Sequence, residues 1–173
     1  MKRNVIRTSI VLYEEIEVNP IKWMEWYEYA RNLTEKVGYC PNYVGINGQS
    51  FQSDSILTIS KTEKKLKKTV EVGEKFDSLD VYSLPPNFKQ AAFDYETYMA
   101  RYCSYEPHFA LVNLLQGDFL KIDVDSVIGE LKEFIKFREG QIFEMTAPES
   151  PFFYASKVNH ASYYKSLKIL KEI

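Results

Sequence analysis

Cysteine and histidine are scarce in this chain, which carries only Cys40 and Cys103 and only His108 and His160. Two thiols far apart in sequence are too few for a disulfide framework, and a reduced, cytoplasmic setting is the simpler expectation. Four soft or nitrogen ligands, widely scattered, do not supply the three or four that a tetrahedral metal site needs, so no metal is expected. An excess of one charge is also missing: 22 Lys and Arg stand against 24 Asp and Glu, a formal charge of −2. That balance gives no electrostatic reason to expect nucleic acid or an anionic membrane as partner, while a basic protein fits it. No apolar run approaches the ~20 residues of a membrane span. The run Ser9 to Tyr13 is too short for a signal-peptide core, and acidic residues follow it at once. There is no GxGxxG and no P-loop, so no nucleotide cofactor is expected either.

Aromatic residues are what the sequence has in excess. With 13 Tyr and 11 Phe the aromatic share reaches 15%, in a chain that is 45% hydrophobic and 27% charged. The overall balance is that of a globular protein, and the aromatic excess suits a sheet-rich core or a recognition surface. At 173 residues a single domain over 1–173 is the expectation.

Local patterns set out the elements. Val5 to Tyr13 alternates partially and predicts a first strand. Asn19 as cap, Pro20 at the first helical position and Gly38 as stop bracket the clearest helix, over 20–37, with Trp23, Tyr27, Ala30, Thr34 and Val37 on one stripe. Gly38 to Ser55 is rich in turn formers and predicts a loop, or a loose hairpin around Asn47-Gly48, followed by a short strand over Ile56 to Ile59. Ser60-Lys61-Thr62-Glu63 has the form of a capping box for a helix over 61–72, whose Lys64, Lys65, Lys67 and Lys68 form a solvated face.

Leu79 to Leu84 predicts a strand stopped by Pro85-Pro86, and Ala91 to Cys103 gives the longest strand signal. In that signal Phe93, Tyr95, Thr97 and Met99 alternate with Asp94, Glu96, Tyr98 and Ala100. Phe109 to Leu115 is a near-continuous apolar run, as an interior strand requires, and the three strands predict an antiparallel meander. Further on, a helix over 125–139 stopped by Gly140, a short strand over Ile142 to Met145, an extended Phe152 to Ser156 and a terminal helix over 160–172 are expected. The fold class read from this is α+β, a mostly antiparallel sheet of about five strands flanked by about four helices.

Chemistry is harder to find. Cys103 and His108 lie within six residues, but no catalytic signature surrounds that Cys, so a buried thiol and a turn histidine are the plainer reading. Asp94 and Glu96 sit two apart on one expected strand face, roughly 6.6 Å along it, which permits glycosidic acid–base work without requiring it. Asp118, Asp123 and Asp125 lack the glycine and the closing Glu of a calcium loop, and capping explains the last two. Trp23, Trp26, Tyr43 and Phe51 would be the walls of a small-molecule pocket if there is one. A recognition surface fares better than an active site. Asp94, Glu96, Tyr98, Tyr102, Tyr105 and Glu106 would bring carboxylates and tyrosines together on one sheet face, rigid contact area with anions for a partner's Arg or Lys.

The block LDVYSLPPNFKQAAFDYETYMAR, followed by HFALVNLL and DVDSVIGELKEFIKFREG, resembles the immunity proteins of bacterial polymorphic-toxin and contact-dependent inhibition systems. That resemblance implies a cytoplasmic protein that binds and neutralises one cognate toxin protein, with no cofactor and no catalysis of its own. The alternatives are a small hydrolase using Cys103 with His108 or Asp94 with Glu96, and a small-molecule-binding domain.

Overall fold

Val5 to Tyr13 is β-branched and apolar on both of its alternating faces, and such a strand is stable only where neighbours pair with it on both edges and layers cover both sides. The computed structural model, which describes residues 4–51 and 55–173, gives it that position. The basic start at residues 1–3 and residues 52–54 of the expected loop lie outside the described residues.

Eight strands are formed among the described residues: β1 (Ile6–Glu15), β2 (Tyr43–Gly48), β3 (Ile56–Thr58), β4 (Phe76–Ser83), β5 (Thr97–Tyr102), β6 (His108–Leu115), β7 (Lys136–Thr146) and β8 (Lys168–Glu172). They make one sheet in the order β3-β2-β4-β5-β6-β1-β7-β8, antiparallel at every pairing. Six helices accompany them: α1 (Pro20–Lys36), α2 (Ile59–Glu71), α3 (Ala91–Asp94), α4 (Gln116–Phe119), α5 (Val124–Leu131) and α6 (Pro151–Ala155). The α+β class and the order of the β4–β5–β6 meander are as expected, but the strand expected over Ala91 to Cys103 begins only at Thr97, its first residues forming α3, the sheet has eight strands in place of about five, and six helices replace about four.

Helix α1 forms for the local reasons read from the sequence: Asn19 Oδ1 accepts the Ile21 N–H at 3.0 Å, and Pro20 opens the first turn. It lies on one sheet face with α2 and α5, burying Trp23, Trp26, Ile10, Leu12, Leu79, Met99 and Val112 in one cluster. The Trp26 indole N–H reaches the Leu79 carbonyl at 3.0 Å, and Thr34 of α1 bonds Thr97 of β5 at 3.2 Å. No helix among the described residues is long and apolar enough to cross a membrane.

Four expectations are corrected. The capping box does not form, because the chain enters α2 directly from β3 with Thr58 at the cap, and Glu63 instead accepts from Arg31 at 2.6 Å and Tyr27 at 3.2 Å. The helix expected over 125–139 ends at Leu131, and β7 begins at Lys136 and runs through Gly140. Phe152 to Ser156 is helical, since Ser150 caps and Pro151 starts α6. The terminal helix over 160–172 is a single 3₁₀ turn, Ala161–Tyr163, followed by β8, whose ladder to β7 supplies backbone partners that an isolated helix would have had to find within itself.

Candidate partner-binding surface

The second face of the sheet decides where the proposed recognition residues lie. Val11, Tyr13, Tyr98, Ala100, Phe109, Leu111 and Phe143 point to it and are buried. The cover is irregular chain: residues 84–96 between β4 and β5, together with α6 and Tyr164. Side chains of the sheet hold the cover down. Buried Arg7 of β1 donates from one terminal nitrogen to the Phe93 and Tyr95 carbonyls, each at 2.8 Å, and its guanidinium lies 4.3 Å from the Tyr95 ring centroid. Asn42 bonds Leu84 twice, donating to its carbonyl at 2.7 Å and accepting its N–H at 2.9 Å.

The six residues expected to share an open sheet face are therefore not on one. Asp94 ends the helical turn α3, and its Oδ2 accepts the Lys89 and Gln90 N–H groups, each at 2.8 Å. Those two bonds hold its carboxyl below the ordinary carboxylate range. Glu96 accepts from the Ser83 hydroxyl at 2.9 Å. Tyr98 points to the expected side, but that side is covered and the residue is only 4% exposed. It belongs to a tyrosine cluster with Tyr82 at 4.8 Å and Tyr95 at 5.3 Å between ring centroids.

At the centre of that cluster stands a carboxylate the sequence reading passed over. Asp80 Oδ2 accepts the Tyr98 hydroxyl at 2.9 Å, while Oδ1 is closed off from solvent and has no hydrogen-bond partner. Burial pushes its pKa up to about 7, against the Tyr98 and Tyr82 hydroxyls, which favour the ionised form. Its signal was available: in Leu79-Asp80-Val81-Tyr82 the polar phase of β4 is the phase that pairs across to Tyr98 and Ala100.

The other half of the predicted set, Tyr102, Tyr105 and Glu106, lies at the end of β5 and in the β5–β6 turn that follows it. Tyr102 stacks on Phe109 at 5.0 Å and meets Phe152 of α6 edge-on at 5.3 Å. Phe152 continues to Phe153 at 6.1 Å. The outer members of this surface are open to solvent, Tyr105 at 77% and Phe153 at 52%. The exposed Glu106 carboxylate lies 3.7 Å from His108 Nε2. An extended segment gives no reason to single out Phe152 and Phe153; the helix-start signal Ser150-Pro151 is the sequence feature that does.

The two hydrolase arrangements do not assemble. The Cys103 thiol donates to the Phe76 carbonyl at 3.7 Å, not to an imidazole, and burial pushes its pKa up to about 11, which keeps it protonated and poorly nucleophilic. Asp94, held ionised by its caps, is the opposite of a general acid. The supposed aromatic pocket is likewise divided: Trp23 and Trp26 are wholly buried under α1, Phe51 packs with them through Phe76, and Tyr43 lies on the other sheet face against Phe88. Asp123 caps α5 through the Ser126 N–H, and Asp118 accepts from Tyr39 at 2.7 Å. Among the described residues no three His, Cys, Asp or Glu side chains converge as metal ligands.

No protein-family model and no curated protein matches this chain. Among solved structures the chain is similar to a Pseudomonas aeruginosa T6SS protein, PA0821, at 10% identity and a TM-score of 0.49. The match covers 84% of this chain and 42% of that one, so the chain spans less than half of that protein's length.

Proposed function

We propose that this protein is an immunity-type inhibitor that binds and neutralises a cognate bacterial toxin protein, and that the contact is made by the aromatic corner of Tyr102, Tyr105, Glu106, Phe152 and Phe153. One observation carries the reading. Phe153 stands mostly in water on a base of interlocked rings, Phe152, Tyr102 and Phe109, and the turn that follows Tyr102 carries the exposed Tyr105 ring and the exposed Glu106 carboxylate. A rigid aromatic base with exposed anchors is the surface from which binding hot spots are built, because little side-chain entropy is lost when a partner covers it. Of the six residues expected to contact a partner, Tyr102, Tyr105 and Glu106 remain in the proposed surface. Asp94 and Glu96 belong to the covering segment and Tyr98 lies beneath it, so these three are left out of the proposed surface.

The test is co-purification with the protein encoded in the neighbouring reading frame, followed by calorimetry on variants. Tyr105→Ala and Phe153→Ala are each expected to weaken the complex by about 2 kcal/mol, roughly thirtyfold, with the unfolding midpoint unchanged. A neighbouring metabolic operon, or a complex indifferent to both variants, would overturn the reading.

A further inference from the structure

On the other side of α6 from the corner lies a cleft of about 590 Å³, within the size range of ligand pockets. Its floor is the Tyr13 ring and its wall is Tyr154, whose hydroxyl donates to Gln141 Oε1 at 2.6 Å. Gln141 in turn donates to Glu172 Oε1 at 2.9 Å. Glu139 also lines the cleft, which therefore carries two carboxylates, and Glu139 is the one paired with the Lys157 ammonium. His160 also borders the cleft, its Nδ1 held by the Ser162 hydroxyl at 2.9 Å.

Lys157 is seated in this cleft as a ligand would be. Its ammonium lies 4.5 Å from the Tyr13 ring centroid and 3.8 Å from Glu139 Oε1. An aromatic face with a carboxylate beside it is the arrangement that attracts an organic cation. The backbone reinforces the point. Lys157 follows the end of α6 at φ 55°, a left-handed conformation in which glycine is the usual residue at that place. Lys157 thus holds a glycine position while its long basic side chain folds onto the Tyr13 ring.

We infer that the cleft is a slot for a basic side chain, arginine or lysine, of the bound partner, and that Lys157 occupies it in the free protein and leaves when the partner's cation enters. Withdrawal of Lys157 leaves two carboxylates, an aromatic floor and the Gln141 amide facing the incoming group, a set that repels anions. The slot and the aromatic corner share α6, since Phe152 and Phe153 face one and Tyr154 the other. This inference rests on the partner-binding reading above, and it adds the chemistry of one anchor on that partner.

The probe is Nα-acetyl-arginine amide, titrated into the isotope-labelled protein by NMR, with the isosteric, uncharged Nα-acetyl-citrulline amide as control. The arginine derivative is expected to shift signals of Tyr13 and Tyr154, and the citrulline derivative to leave them in place. Lys157→Gly suits the left-handed backbone and therefore keeps the fold; it should bind the arginine probe about two- to fivefold more tightly, the range of an exposed cation–π contact released. Glu139→Gln should bind it more weakly. Equal binding of both probes, or no gain in Lys157→Gly, would overturn the slot. The two readings fail separately. A toxin complex whose affinity ignores Glu139→Gln and Glu172→Gln leaves the inhibitor and removes the slot. Arginine binding by a protein that takes no neighbouring gene product leaves the slot and removes the inhibitor.

Discussion

Replacing Asp80 by Asn should make the domain more stable at alkaline pH and leave it nearly unchanged only below about pH 4. Asp80 lies on β4 between Gly45 of β2 and Ala100 of β5, with Tyr82, Tyr95 and Tyr98 around it and one carboxylate oxygen without a partner. Its pKa rises from an ordinary 3.8 to about 7, with desolvation as the leading cause. An acid whose folded-state pKa is raised keeps its proton in the native state while the unfolded chain has lost its own. Stability therefore falls as pH climbs from about 4 to about 7 and stays at the lower level above that, because stability rises with pH only where the unfolded state binds more protons. The distance from 3.8 to about 7, at 1.36 kcal/mol per pH unit, sets a ceiling of about 4 kcal/mol on this loss.

Asn fills the same volume, accepts from Tyr98 and carries no charge at any pH. The difference in unfolding free energy between Asp80→Asn and the wild type should then grow by about 2–3 kcal/mol between about pH 5 and about pH 8.5. Urea denaturation of both proteins at those two pH values measures it, and titrations common to both proteins cancel in the difference. A difference that does not move with pH would refute the reasoning, as would a carboxyl carbon NMR signal for residue 80 titrating near 4.

Asp94→Lys should act on stability before it acts on any complex, because the Lys89 and Gln90 N–H groups lose their acceptor; a loss of about 1 kcal/mol in urea denaturation is expected, the usual worth of such a cap. Gly140→Ala should cost about 1–3 kcal/mol by overpacking, since a Cβ there would stand 2.6 Å from the Val11 carbonyl oxygen. Gly129→Ala, on helix α5 with nothing within 4 Å of the added carbon, should gain about 0.5–1 kcal/mol by helix propensity, and equal thermal shifts for the two variants would contradict both. Cys103, with its thiol raised to about 11 by burial, should resist alkylation at about pH 8 while exposed Cys40 is modified, as peptide mass spectrometry would record.

The elements that were legible in the sequence are those decided within a few residues. Asn19, Pro20 and the Trp23–Tyr27–Ala30–Thr34 stripe name α1 without help from the rest of the chain, and the apolar run of β6 can be stable only as an interior strand. The misread ones were decided by distant partners. Phe134 and Ile135 are buried whether they end a helix or lead into a strand, so their spacing did not separate the two. Gly140 carried two meanings, a helix stop or a close backbone approach, and the proximity of Val11 selects the second. Leu167 and Leu170 fit a helical stripe, yet β7 offered residues 168–172 a ladder, and tertiary pairing overrides a weak local preference.

The candidate site followed the same logic one level higher. Strict alternation in β5 shows that Thr97, Met99 and Arg101 face one way and Tyr98, Ala100 and Tyr102 the other, but alternation is silent on which face another layer covers. A sheet face carrying Asp80, Tyr82 and Tyr98 looks polar in sequence and would be taken as solvated. Arg7, read as a strand residue with no special role, brings down the 84–96 segment through two carbonyls and encloses those tyrosines. Once that cover is in place, tyrosine and carboxylate in the middle of the sheet become an internal network, and along β5 only Tyr102, half-buried against Phe152, still meets solvent. The proposed recognition surface thus lies toward Tyr105 and not at Tyr98, because a guanidinium nearly a hundred residues away in sequence brings down the cover over Tyr98.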